Sequence, residues 1–170
     1  DSVKYDSDGK ISELLVQKGL GAVDHDIWCS PEVQVSRADE MVWTSTSGSN
    51  VAAEYAAALA LGYLNFNDNS EKYREYLEVA EKLYEFAGRT SAFTASDNSG
   101  TYYSDGESDD DIAWAAAWLY EATGKNDNSP YKSARSSEAG ELQWDSVKLA
   151  AACAYARQEN DWSKVTSHIE

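Results

Sequence analysis

SDDDIAWAAAWLYEATG, Ser108 to Gly124, decides the fold. Past its acidic start, alanines, Trp114, Trp118, Leu119 and Tyr120 fall at every angle of a 3.6-residue period, so the segment predicts a helix apolar all round and ended by Gly124. Such a helix is buried on every side. Two more stretches read the same way. VAAEYAAALALGYLNF (residues 51–66) follows a capping Asn50 and has Glu54 as its one early charge, and WDSVKLAAACAYARQ begins at Trp144. The three buried helices are expected at about 51–66, 110–122 and 145–157. Between the first two lies EKYREYLEVAEKLYEFAG, capped by Ser70. There Tyr73, Tyr76, Leu77, Ala80, Leu83, Tyr84 and Ala87 keep the i, i+3, i+4, i+7 spacing while Glu and Lys fill the solvent side.

Buried helices alternating with amphipathic ones need a second ring of helices around them, which predicts an all-α fold, a helical toroid built of helix pairs. This chain supplies about half a ring. No run has the period of two of a well-formed strand. KISELLVQKG (residues 10–19), after Ser7-Asp8-Gly9, reads as a short helix with Ile11, Leu14 and Leu15 on one face and Gly19 as its C-cap. Gly21 to Gly48 reads as a long connecting loop, and Gly124 to Trp144 as a polar one. The last segment, NDWSKVTSHIE, starts a further helix. A half-toroid leaves inner-helix edges bare, so the chain is expected to be part of something larger.

With 170 residues the chain has the length of one ordinary domain, able to bury roughly 70% of its unfolded surface. A net charge of −16 argues against nucleic acid or an anionic membrane face as partner and favours a neutral or cationic one. No window approaches the roughly 20 apolar residues of a membrane span, and DSVKYDSDGK carries no signal-peptide pattern. Cys29 and Cys153 stand far apart with no CxxC and no histidine cluster, which gives a zinc or redox motif no support and leaves two buried thiols or a disulfide.

Three constellations bear on chemistry. In GLGAVDHDIWCSPE, Asp24-His25 with Trp28 reads either as an acid–base pair beside an aromatic platform or as a satisfied loop histidine beside a core tryptophan. In GESDDDIAW (residues 106–114), Ser108 and Asp109 can cap the helix and Asp110 and Asp111 favour its positive end. The same acidic set also resembles an oxygen-ligand site for calcium, without the EF-hand spacing. Six tryptophans and eleven tyrosines are many. Trp28, Trp43, Tyr102, Tyr103 and Trp144 lie in loops or at helix entrances, where rings either pack into the core or stack on flat ligands such as sugars.

Taken together and in order, these blocks resemble the catalytic domain of glycoside hydrolase family 9, inverting cellulases built as an (α/α)6 toroid. The family's V-G-D-G-D-x-D-H-x-x-W-x-x-P-E is matched by Gly19, Gly21, Asp24, His25, Trp28, Pro31 and Glu32. SGSNVAAEYAAALA, KLYEFA, SDDDIAWAAAWLYEATG and WDSVKLAAA match four further blocks. The resemblance implies that His25 and Trp28 line glucose subsites, that Tyr102 or Tyr103 flanks the cleft, and that Asp110, Asp111 and Asp145 hold a structural calcium. It also implies a secreted enzyme acting on cellulose or another β-1,4-glucan.

Departures are equally plain. The family's V-G-D-G-D has become Lys18-Gly19-Leu20-Gly21-Ala22, losing two loop carboxylates. The serine, glycine and tyrosine expected before the D-E pair align with Gly106, Glu107 and Ser108. Inversion needs a base and an acid roughly 6.5–9.5 Å apart. The family takes its base from an Asp-Ala-Gly-Asp motif and its acid from a late Glu, and neither occurs here. Residues 1–170 are therefore expected to be an internal part of one catalytic domain, incomplete at both ends. They would supply cleft wall and scaffold without the catalytic carboxylates, and would work with the remainder of that domain. The alternative is a non-catalytic carbohydrate-binding or scaffold module of the same toroidal type.

Overall fold

In a computed structural model of the chain, the described residues are 3–19, 41–46, 48–66, 71–90 and 105–170. The sequence opens with a hairpin, not a helix. Strands β1 (Val3–Tyr5) and β2 (Ile11–Gly19) pair antiparallel, and β2 pairs in turn with β3 (Met41–Thr46). The turn between β1 and β2 is chemically specified. The Asp6 carboxylate accepts from the amides of Asp8 and Lys10, both at 2.9 Å, while Gly9 takes the positive φ of 74° that a Cβ would resist.

This overturns the helix expected over residues 10–19 and the C-cap at Gly19, which pairs with Met41 instead. The three-residue spacing of Ile11 and Leu14 looked helical, but a β-bulge produces it. Lys4 faces Glu13 while Tyr5 faces Ile11, so Ser12 is the extra residue, and Ile11 and Leu14 both turn into the core. The loop expected over Gly21–Gly48 likewise contains β3. Arg89 fastens the sheet to the helical layer by donating to the Ile11 carbonyl at 3.0 Å, and Lys10 pairs with Glu85 at 2.9 Å.

The rest of the described chain forms helices, all but α4 expected: α1 (Ser49–Phe66), α2 (Glu71–Arg89), α3 (Asp109–Ala122), α4 (Pro130–Ala134), α5 (Lys148–Glu159) and α6 (Ser163–Ile169). Helix α3 is buried nearly all round and lies between α1 and α5, with α2 and α4 also against it. Helices α1, α3 and α5 thus form the inner layer of an arc, backed by α2, α4 and α6. The inner layer is built of small residues. Ala52, Ala53, Ala56 and Ala57 of α1 join Ala115 of α3, with Leu83, Phe86 and Ala87 of α2 behind and Ile11 and Leu14 of the sheet closing the end. Alanine at these positions lets helix backbones approach closely. Gly62 serves the same end, since a Cβ there would sit 3.2 Å from the Tyr76 ring.

Several expectations shift in detail. Helix α1 begins at Ser49, so Asn50 lies within it, and α1 is buried along one face only, with Tyr55 and Phe66 exposed. Ser70 lies outside the described residues. Ser108 stands at the N-cap of α3 but makes no side-chain capping bond. Gly124, at φ 89°, ends α3 as expected, its amide donating to the Glu121 carbonyl at 3.1 Å. Helix α5 starts at Lys148, three residues late, because Gln143 to Ser146 form a tight bridged turn. The polar loop hides α4, started by Ser129 as cap and Pro130 in its first turn.

Behind α4, Arg135 locks the outer layer to the inner one. Its guanidinium donates to Gln158 and Glu159, each at 2.8 Å, and lies 4.0 Å from the centre of the Tyr120 ring and 5.0 Å from that of Tyr155. Cys153 is a free thiol, half-buried where full burial was expected, and Cys29 lies outside the described residues.

Candidate functional site

The first turn of α3 gathers charge that capping alone does not require. Asp110 and Asp111 are each only 5% exposed, although both are carboxylates. One oxygen of Asp110, Oδ2, accepts from the Val147 amide at 2.8 Å and from the Ser146 hydroxyl at 3.2 Å, so it anchors the turn that starts α5. Its other oxygen, Oδ1, is buried without a hydrogen-bond partner, and so is Oδ1 of Asp145, one residue before Ser146. A buried carboxylate oxygen with no donor is costly, and a cation removes that cost.

Asp111 faces a different set of neighbours. Burial pushes its pKa up to about 8, and the charges of Asp110, Glu54, Asp105 and Glu107 push in the same direction. Glu54 of α1 is raised too, first by desolvation and then by Asp105 and Asp110. Asp105 is partly compensated, accepting from the Asn50 side-chain amide at 2.7 Å. Beside these groups opens a cavity of about 630 Å³, lined by Asp105, Glu107, Glu138, Glu141 and Asp145 among others. Lys148 lines it as well and pairs with Glu107 at 3.0 Å.

These donors fit a hard cation in part. Oxygen-only ligands and two orphaned carboxylate oxygens are what calcium takes, and carbonyls and water routinely complete its six to eight ligands. Against that, among the described residues no three His, Cys, Asp or Glu side chains gather closely enough to hold a metal by themselves. Asp110 is tied to the Ser146–Val147 turn that follows Asp145, and Asp111 is raised by burial and by the charges of Asp110, Glu54 and Asp105.

His25, Trp28, Tyr102 and Tyr103 lie outside the described residues. Trp144, at the head of the turn, is 56% exposed. Two acidic groups escaped the sequence reading, Glu54 and Asp105. The signal for Glu54 was present, since it is the one charge within the alanine-rich run of α1. No periodicity marks Asp105. Its place follows only from the packing of α1 against α3.

Comparison with known proteins places this geometry. The family model for glycosyl hydrolase family 9 matches residues 4–169. Endoglucanase 2 of Arabidopsis thaliana is 35% identical over 133 residues, covering 72% of this chain and 26% of that protein. Endoglucanase 24 of Oryza sativa subsp. japonica is 32% identical over 169 residues, covering 92% of this chain and 32% of that protein. Among solved structures, the catalytic domain of Clostridium thermocellum CelT superposes with a TM-score of 0.75 at 27% identity, over 96% of this chain and 35% of that one. The endoglucanase of the termite Nasutitermes takasagoensis gives 0.70 at 29%, over 89% and 37%. C. thermocellum CelQ, solved with cellotriose, gives 0.66 at 26%, over 91% and 27%. Those neighbours are (α/α)6 barrels, and the arc of helices seen here is part of such a toroid. The chain spans about a third or less of the curated relatives it matches.

Proposed function

Because the chain belongs to glycosyl hydrolase family 9, we propose that it is an internal part of an endo-β-1,4-glucanase that hydrolyses cellulose with inversion. The observation that carries this reading is the likeness to CelT along 96% of the chain, together with a family match over residues 4–169 that includes the acidic corner as well as the helices. That CelQ was solved with cellotriose supports a β-glucan as substrate. A neutral polymer is also compatible with a net charge of −16, which would repel an anionic one.

On this reading the labour is divided. Inversion needs one carboxylate to activate water and a second to protonate the leaving oxygen, and both come from the remainder of the domain. This part supplies the cleft wall, with His25 hydrogen-bonding sugar hydroxyls, Trp28 as a stacking platform and Tyr102 or Tyr103 at the rim. Asp110 and Asp145 would hold a calcium ion at the acidic corner, with Asp111 as the third carboxylate, and the ion would supply positive charge to the crowded acids there. An insoluble polymeric substrate calls for a secreted enzyme.

The test uses the longer protein that carries these residues and the 170-residue chain alone. The longer protein is expected to lower the viscosity of hydroxyethylcellulose, a neutral soluble derivative, rapidly and to release α-anomeric products, as seen by proton NMR. The chain alone is expected to do neither. β-Anomeric products would contradict inversion, and turnover by the chain alone would contradict the placement of both carboxylates elsewhere.

A further inference from the structure

The geometry points to a second, non-catalytic glucan-binding surface on the outer helix layer, where carboxylates of α2 line one cavity with the paired rings of Tyr84 and Tyr131. This inference rests on the β-glucan reading above and adds a site that shares no residue with the acidic corner.

Glu78, Glu81, Lys82 and Glu85 fall at i, i+3, i+4 and i+7 on α2, a stripe that is ordinarily just a solvated face. Here something stands beside it. Ser129 and Pro130 start the short helix α4, which sets Tyr131 against Tyr84 edge to face, centroids 5.2 Å apart and planes at 84°. The two rings and Pro130 line a cavity of about 530 Å³ together with the three glutamates. The Tyr131 hydroxyl donates to Glu81 at 3.2 Å, which fixes both ring and carboxylate. Burial, and then the Glu81 charge, hold that phenol protonated far above neutral pH.

Charge decides which ligand suits the cavity. Glu85 is paired with Lys10 at 2.9 Å and has Arg89 at 4.0 Å, and Lys82 lies 5.1 Å from the centre of the Tyr5 ring. Glu85 is thus neutralised by cations, while Glu81 accepts from the Tyr131 hydroxyl and Glu78 stands exposed, so the cavity offers hydrogen-bond acceptors rather than three bare charges. A pyranose supplies what such a cavity lacks, vicinal hydroxyls to donate to Glu78 and Glu81 and a C–H face to lie on an aromatic ring.

The experiment uses the longer protein with Glu78→Ala, an exposed position, and separately Tyr131→Ala, each checked by its melting curve. Depletion assays on insoluble cellulose and turnover of soluble cellopentaose are read side by side. Expected is binding to insoluble cellulose weakened about fivefold by Glu78→Ala, the equivalent of roughly one hydrogen bond. Tyr131→Ala is expected to weaken it further, with cellopentaose turnover unchanged in both. Undiminished cellulose binding by folded Glu78→Ala protein would overturn the second site. Absence of β-glucan turnover in the unsubstituted protein would instead overturn the reading on which it rests.

Discussion

At the scale of single residues, the acidic corner makes stability depend on pH. Asp111 has its folded pKa raised to about 8 from 3.8, so between those values the folded chain holds a proton that the unfolded chain has released. Stability is then lost as pH rises through that window, the reverse of an ordinary salt-bridged aspartate. With calcium chelated, the melting temperature is expected to fall by several degrees between pH 4.5 and pH 8, where each kcal/mol is worth roughly 2–4 °C for a chain of this size. Asp111→Asn should flatten the profile, and a wild-type melting curve already flat with pH would refute the coupling. Adding calcium should raise the midpoint at pH 8, because the ion supplies charge that protonation supplies at low pH.

Arg135 gives a second test at this scale. Its side chain is 2% exposed, forks onto Gln158 and Glu159, and stacks on two tyrosines. Arg135→Lys keeps the charge and loses the fork, so a cost of roughly 2 kcal/mol is expected in urea unfolding, close to that of Arg135→Ala. Lysine restoring full stability would mean that charge alone matters. Asp110, Asp111 and Asp145 were named together only through the resemblance to the family's blocks. Their partners Glu54 and Asp105 were not, since charges brought together by helix packing leave no spacing in the chain.

Among the elements, the longer helices announced themselves, and the short α4 and the sheet did not. An apolar run on all sides of a 3.6-residue period predicts burial within other helices; α3 obeys it, whereas α1 is buried along one face and α5 keeps partly exposed positions, although all three lie within three residues of the expected bounds. The β1–β2 hairpin was misread because its bulge sets Ile11 and Leu14 three apart, the helical spacing. Its turn chemistry was nevertheless in view. Asp6-Ser7-Asp8-Gly9 offers an aspartate to accept two amides and a glycine for the left-handed corner. Gly9→Ala is expected to cost about 1–2 kcal/mol, the penalty for a Cβ at positive φ, and Asp6→Ala a similar amount by releasing two amides. Both should appear as lowered urea midpoints with helical circular dichroism retained. Gly62 tests the helix pair directly. Gly62→Leu must push Tyr76 aside and should destabilise by roughly 1–3 kcal/mol, whereas Gly62→Ala meets a ring edge that need shift only a few tenths of an ångström.

For the molecule as a whole, the arrangement of layers determines what the isolated chain will do. The arc has two flanks. On one, Tyr5 and Tyr55 stand 46% and 41% exposed beside an apolar groove completed by Val3, Leu59 and Val79. On the other, Trp162 at the N-cap of α6 and Ile169 at its last residue are 46% and 71% exposed. Large apolar side chains grouped at both ends of a helical arc are what an (α/α)6 toroid buries when its ring closes, and CelT extends over nearly three times the length matched here. The 170-residue chain on its own is therefore expected to self-associate, with a weight-average mass that rises with concentration in sedimentation equilibrium, and to bind 1-anilinonaphthalene-8-sulfonate strongly. Tyr55→Lys should lower both signals, because it places a charge in the middle of the first flank without touching the buried alanine face of α1. In the longer protein the same substitution should cost stability instead, since there the flank is covered. A chain that sediments as a monomer at every concentration and leaves the dye dark would show that the arc satisfies its own edges, and the closure of these flanks by further helices would have to be abandoned.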